Sequence, residues 1–158
     1  MPITIIQLPS DEWQRYRDFR LAALQESPNA FGSTYETELH FPEEQWRLWI
    51  ANVWFALEDT IILGMIGFLP ESPTTAQIVS FWVTPQSRGK GIGKQLLLHM
   101  QALAKNQNLT KLYLYVTTTQ TAAIGLYHAL GFTTASLEKN HIVRDTGSLD
   151  QYLMLKVL

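Results

Sequence analysis

The stretch VTPQSRGKGIGKQLL, Val83–Leu97, decides the reading of this chain. An apolar run, Ile78-Val79-Ser80-Phe81-Trp82-Val83, leads into it, and the leucine-rich QLLLHMQALAK follows. The pattern predicts a strand, a glycine-rich basic turn and a helix. Glycine lets an anion approach the backbone closely, and a helix N-terminus presents free N–H groups and a positive dipole. Arg88, Lys90 and Lys94 add charge that suits phosphate. The turn is therefore expected to hold a phosphate.

Its spacing eliminates two kinds of phosphate site. A nucleoside-triphosphate loop requires G-x-x-x-x-G-K-[ST], whereas Gly89 and Gly93 enclose three residues and Gln95 follows Lys94. A dinucleotide fingerprint requires G-x-G-x-x-G in an early strand–helix–strand unit. Here G-x-G-x-G lies past the midpoint of the chain.

The rest of the sequence sets the frame. The 158 residues are 46% hydrophobic and 16% charged, which fits one domain, residues 1–158, with its own core. A net charge of -2 argues against a general nucleic-acid binder. There is no cysteine, hence no disulfide or thiolate nucleophile, in keeping with a reducing cytoplasm. The N-terminal MPITIIQLPSDEW has no basic leader, and the longest near-apolar run, Ile61–Leu69, falls far short of the roughly 20 residues that span a bilayer. No membrane association is expected.

Thr4–Leu8 reads as a first strand. Ser10 suits the cap of a helix that places Trp13, Tyr16, Ala23 and Leu24 on one face. Arg20 shares that face. Its stem is expected to pack while its charge reaches water, the alternative being an active-site charge. Glu26–Phe41, broken by Pro28 and Gly32, is expected to form a loop with a short helical turn, and Pro42-Glu43-Glu44 to open a helix bearing Trp46, Trp49 and Ile50. A hairpin turns near Glu58-Asp59. After the long helix, with its Leu96, Met100 and Leu103 stripe, come a strand (Lys111–Val116) and a helix carrying Ala123, Tyr127 and Leu130. Gly131 ends that helix, and strands follow near Phe132–Leu137 and Tyr152–Val157. This order predicts an α+β fold, with a mixed, largely antiparallel central sheet flanked by helices.

The third reading of the turn is R-x-x-G-x-G, carried by Arg88, Gly91 and Gly93, and downstream AIGLYHALGF (Ala123–Phe132) fits A-x-x-L-Y-x-x-x-G-F. Together these resemble the signature of the GNAT superfamily of acyl-CoA-dependent N-acetyltransferases. The N-terminal RLAALQESPNAFGSTYETE (Arg20–Glu38) also looks like a segment found in a bacterial subgroup of these enzymes. The resemblance implies a single-domain GNAT-like fold and direct acetyl transfer from acetyl-CoA to a primary amine of a small molecule, peptide or protein. A CoA-binding sensor or interaction domain without catalysis is the alternative. The resemblance also admits a homodimer.

It further implies roles for particular residues. Arg88, Gly89, Lys90, Gly91, Ile92, Gly93 and Lys94 would hold the CoA pyrophosphate. The backbone of Phe81, Trp82 and Val83 would bind the pantetheine arm and the acetyl carbonyl. Gln120 stands where many relatives carry asparagine, keeping the amide with a longer reach. Tyr127 would sit near the thioester sulfur as general acid, whereas periodicity alone reads it as a packed ring. Some relatives carry a glutamate on the strand before the turn, but AQIVSFWV (Ala76–Val83) has no carboxylate. The base is left to Glu36, Glu38 or a water chain. His40, His99, His128 and His141 show no metal-binding spacing, and no metal is expected.

Overall fold

The computed structural model describes residues 2–158. In chain order, β1 (Thr4–Ile6) and a 3-10 turn (Ser10–Glu12) precede α1 (Trp13–Glu26). A second 3-10 turn (Pro28–Ala30), α2 (Tyr35–Glu38) and α3 (Glu43–Ile50) come next. Then follow β2 (Val53–Glu58), β3 (Ile61–Pro70), β4 (Thr75–Val83), a turn at Pro85–Ser87 and α4 (Ile92–Asn106). The chain ends with β5 (Lys111–Thr117), α5 (Thr121–Ala129), β6 (Thr133–Arg144) and β7 (Gly147–Val157).

The strands form a seven-stranded sheet in the order β1-β2-β3-β4-β5-β7-β6. β4 and β5 pair in parallel, Thr75–Gln77 against Lys111–Tyr113, while β1–β2, β2–β3, β5–β7 and β6–β7 are antiparallel. This is the mixed, largely antiparallel sheet that the element order predicts. The chain divides into two compact units, residues 1–68 with 80–99, and residues 69–79 with 100–158.

The first unit is organised around aromatic rings. Tyr16 of α1 meets Trp46 of α3 at 5.6 Å and Phe55 of β2 at 5.9 Å, both edge-on. Edge-on pairs set the positive ring edge against a negative face and add about 0.5–1.5 kcal/mol to area burial. Pro42 fixes the entry to α3, Glu43 and Glu44 face the positive end of its dipole, and Arg47 bonds back to Glu43 at 2.7 Å. Thr34 caps α2 by accepting from the Thr37 N–H. Ser10 does not take its expected capping role. Residues 10–12 wind into a 3-10 turn, and no side-chain cap precedes α1.

In the second unit β5 alternates, burying Leu112, Leu114 and Val116 while Tyr113 and Tyr115 stay half-exposed. Gln101 of α4 donates to the Leu130 carbonyl at the end of α5. Gly131 follows with a φ of +95°, the left-handed stop expected there. β6 and β7 run much longer than the expected Phe132–Leu137 and Tyr152–Val157, as arms of a hairpin closing at Asp145-Thr146. Their outer halves are mostly polar, with Ile142, Val143 and Leu149 too scattered to form an apolar run. Cross-strand backbone bonds carry them instead.

Candidate active site

The glycine turn takes the geometry that its sequence requires. After Val83, the Pro85–Ser87 turn delivers Arg88 in extended conformation, and Gly89 and Gly91 adopt φ of +77° and +81°. A Cβ at either glycine would meet nothing within 4 Å, so the backbone there borders open space. Ile92 is buried and anchors the start of α4, while Lys90 and Lys94 are exposed. The helical bonding begins with Gln95 N–H donating to Gly91 O at 3.0 Å. The N–H groups just before it lie at the helix start, where no preceding turn offers acceptors. One short segment thus gathers left-handed glycines, a helix N-terminus and two exposed ammonium groups, features that suit a phosphate-type anion.

Arg88 is used differently from its neighbours. Its Nε donates to the Val83 carbonyl at 3.0 Å and its Nη2 to Glu26 at 2.5 Å, with the guanidinium 5.9 Å from the centre of the Trp82 ring. Glu26 also accepts from Ser27 Oγ at 2.5 Å and from the Trp82 indole at 3.0 Å. The Arg88 hydrogen bond is the largest influence holding its carboxyl below the usual range, helped by Ser27 and Trp82. The arginine expected to face phosphate therefore ties the turn to the C-terminal end of α1.

β4 carries an irregularity two residues before Trp82. Ser80 has a φ of +55°, a conformation few non-glycine residues adopt inside a strand. Its Oγ accepts from Arg20 Nη1 at 2.7 Å. The same guanidinium grips both oxygens of Glu38 at 2.9 Å and lies 4.8 Å from the Phe31 ring centre. Arg20 is 8% exposed and Glu38 0%, so the expectation that the charge of Arg20 reaches water fails. Three bonds to Glu38 and Ser80 replace solvent for it. Its place on the buried face of α1 was the available signal.

This pairing also bears on the base. Glu38 has both oxygens committed to Arg20, whereas Glu36, two residues earlier on α2, is exposed. Nearby Tyr16 has its phenol pushed up to about 12, mainly by burial, with Arg20 opposing and Glu38 adding to the rise.

In the second unit, Tyr127 of α5 is 6% exposed, and its ring lies 5.8 Å from that of Phe132. Burial raises its phenol far above the ordinary value, so it carries its proton throughout the neutral range. Gln120 uses its backbone to turn β5 into α5, donating to the Thr117 carbonyl and accepting from Ile124 N–H. A further cluster gave no sequence signal, because its members are far apart in the chain. His141 of β6 stacks on Tyr115 of β5 at 4.4 Å and shares a 2.7 Å hydrogen bond with Gln151 of β7. Gln151 in turn donates to Thr117 Oγ1 at 3.4 Å. Among the described residues no His, Asp or Glu group has the arrangement of a metal site.

Known proteins resemble the chain in sequence and in fold. Residues 13–132 match the model of the acetyltransferase (GNAT) family. Human N-acetyltransferase 8B is 32% identical over 84 residues, covering 50% of this chain and 37% of the human protein. The ribosomal protein bS18-alanine N-acetyltransferase of Salmonella typhimurium is 30% identical over 79 residues, covering 50% of this chain and 53% of that enzyme. The chain thus matches about half or less of the length of these curated relatives. A GNAT-family acetyltransferase from Streptococcus pneumoniae superposes with a TM-score of 0.85 at 18% identity, covering 99% of this chain and 100% of its own. A Salmonella typhimurium protein solved with its cofactor acetyl-CoA gives 0.84 at 19% identity, covering 100% and 95%. With a family match over most of its length and the fold to go with it, the chain belongs to the acetyltransferase (GNAT) family.

Proposed function

We propose that the chain, acting as one domain, transfers an acetyl group directly from acetyl-CoA to a primary amine. The observation that carries this reading is the turn from Arg88 to Lys94. Its two left-handed glycines border open space at the start of α4, within the family-matched segment. Backbone N–H groups from Gly89 to Lys94, with the ammonium groups of Lys90 and Lys94, would take the pyrophosphate of CoA. Arg88 would hold the turn in shape through Glu26 and Val83. Phe81, Trp82 and Val83 would offer backbone groups to the pantetheine arm and the acetyl carbonyl. Gln120 would contact CoA at the head of α5.

The chemistry asks for a neutral amine, a donor for the tetrahedral oxyanion and a proton for the departing thiolate. Tyr127 would supply that proton, since burial keeps its phenol protonated. The acceptor is proposed to be a small-molecule, peptide or protein amine. Among the relatives, the bS18 enzyme is named for acting on an alanine, which makes a peptide amine the first to try. Dependence on a CoA thioester suits the cytoplasm, and a homodimer is compatible with the fold.

A thiol-release assay with acetyl-CoA tests the reading, run against polyamines, aminoglycosides, amino acids and short peptides. Turnover on one amine class, with acetyl-CoA raising the melting temperature, is the expected result. Failure to bind acetyl-CoA would refute the assignment of the turn. Tyr127→Phe is expected to lower kcat roughly 100-fold while acetyl-CoA binding is retained, the range typical of losing one general acid. Native turnover in that variant would remove Tyr127 from the mechanism.

A further inference from the structure

α1 ends on a residue that its own helix does not favour. Glu26 is the last residue of α1, and the last turn holds no basic side chain. The negative end of the helix dipole therefore meets a carboxylate, which is unfavourable locally. The compensation comes from residues far along the chain. Glu26 Oε1 accepts from Arg88 Nη2 at 2.5 Å, from Ser27 Oγ at 2.5 Å and from the Trp82 indole at 3.0 Å. Trp82 is itself fixed. It is 7% exposed, belongs to one core cluster with Leu24 and Tyr16, and meets the Phe19 ring edge-on at 5.2 Å. All of these residues lie in the first unit, as does the glycine turn.

The turn needs such an anchor. Gly89 and Gly91 carry no side chain to pack, and a Cβ at either would meet nothing within 4 Å. Glycine has the widest backbone freedom of any residue, so the N–H groups of this segment depend for their directions on what holds its two ends. Buried Ile92 holds the helix side. On the strand side the holder is Arg88. Its Nε donates to the Val83 carbonyl at 3.0 Å, closing the Pro85–Ser87 turn, and its Nη2 reaches Glu26. Charge alone predicts that a carboxylate near an anion site weakens it. Preorganisation predicts the reverse, because a backbone already held in its bound shape loses less freedom on binding.

We infer that Glu26 is a positioning residue for acetyl-CoA: by clamping Arg88, it holds the glycine turn in the shape that takes the pyrophosphate. The inference rests on the acetyl-CoA reading of the turn. The sign of one substitution is then decisive. Removing this negative charge weakens the binding of an anionic ligand. The loss belongs to the phosphate end, so a thioester that lacks phosphates does not sense it.

The test uses the full chain with CoA, acetyl-CoA and S-acetylpantetheine, which keeps the thioester and lacks the pyrophosphate. Glu26→Gln keeps an oxygen for the indole and for Ser27 but loses the charge that grips Arg88. Because the Arg88–Glu26 pair is partly exposed, the variant should stay folded. It is expected to bind CoA roughly tenfold more weakly in calorimetry, the scale of one charge-assisted hydrogen bond. KM for acetyl-CoA should rise in step, with kcat unchanged and kcat/KM for S-acetylpantetheine preserved. Arg88→Gln should bring a similar loss, and the double variant should lose no more than the weaker-binding single variant, as two residues acting as one unit would. Nitrogen-15 relaxation of the unliganded chain should show the Gly89 and Gly91 amides gaining motion in Glu26→Gln, a change that a general loss of stability would not confine to the turn. CoA binding in Glu26→Gln as tight as in wild type, or tighter, would overturn the inference. So would additive losses in the double variant, or an equal loss with S-acetylpantetheine. Wild-type affinity for CoA reports on the acetyl-CoA reading, whereas the variant ratios and the glycine amides report on Glu26.

Discussion

Arg20 and Glu38 show how much can depend on two side chains. With both groups buried, neither charge has water to fall back on; Glu38 relies on Arg20, and Arg20 on Glu38 and Ser80. Removing one partner from such a pair costs about 3–5 kcal/mol, because the other charge is left stranded. Glu38→Gln should therefore lower the urea midpoint by that equivalent, and the double variant Arg20→Met with Glu38→Leu should recover most of it. An additive double variant would show that the pair is not coupled. Tyr16, beside them, sets an alkaline limit. Its pKa is raised in the fold to about 12 against 10.0 for an ordinary phenol, so its contribution is complete below pH 10 and is lost as pH rises toward 12. Two units correspond to about 3 kcal/mol of linkage. Tyr16→Phe should blunt the loss of stability over that window, followed by circular dichroism. Glu26 has the opposite sign. Its lowered pKa gives stability that is present above the ordinary carboxylate range and lost as pH falls through the folded value. Because the Arg88–Glu26 pair is partly exposed, that effect should be modest and should shrink in high salt.

At the scale of elements, the turn into α4 is the most demanding piece of backbone. Gly91 at φ +81° is strained for any residue with a Cβ, although nothing in the protein would touch that atom. Gly91→Ala should cost about 1 kcal/mol of stability, the usual penalty for the left-handed region. Acetyl-CoA binding should fall further, about tenfold or more, because the added methyl stands in the space proposed for phosphate. A titration followed by melting temperature separates the two effects, and undiminished binding would contradict the proposed cradle. The helices α1, α3, α4 and α5 were legible from apolar spacing, and β2, β3 and β4 from apolar runs between turn residues. The outer halves of β6 and β7 were not. Apart from Ile142, Val143 and Leu149 their side chains are polar or absent, and pairing across the hairpin makes Glu138–Arg144 and Gly147–Gln151 strands.

For the whole molecule, ligand binding and stability are linked by mass action. If acetyl-CoA binds the folded chain alone, stability should rise by about 2.7 kcal/mol at a hundredfold excess over Kd. Calorimetry over a range of acetyl-CoA concentrations should show the midpoint climbing logarithmically, and a midpoint that stays constant would exclude specific binding. The family was readable before any fold was known, because its two signature segments are contiguous: Arg88–Gly93 and Ala123–Phe132. Contiguous motifs survive as text, since their geometry is a local matter of glycine φ and helix start.

The sequence by itself determined the element order and pointed to a phosphate-type turn, which depend on periodicity and on neighbours a few residues apart. Tyr127 became a candidate acid only through the resemblance of its segment to the family's. Only the tertiary structure decided that Arg88 answers to Glu26, 62 residues earlier, and that Arg20 is buried against Glu38 and Ser80. It alone placed His141 between Tyr115 and Gln151. Whether a charge is solvated or paired, and which rings and amides meet, depends on groups brought together by strand pairing and helix packing. Spacing along the chain does not encode those distances.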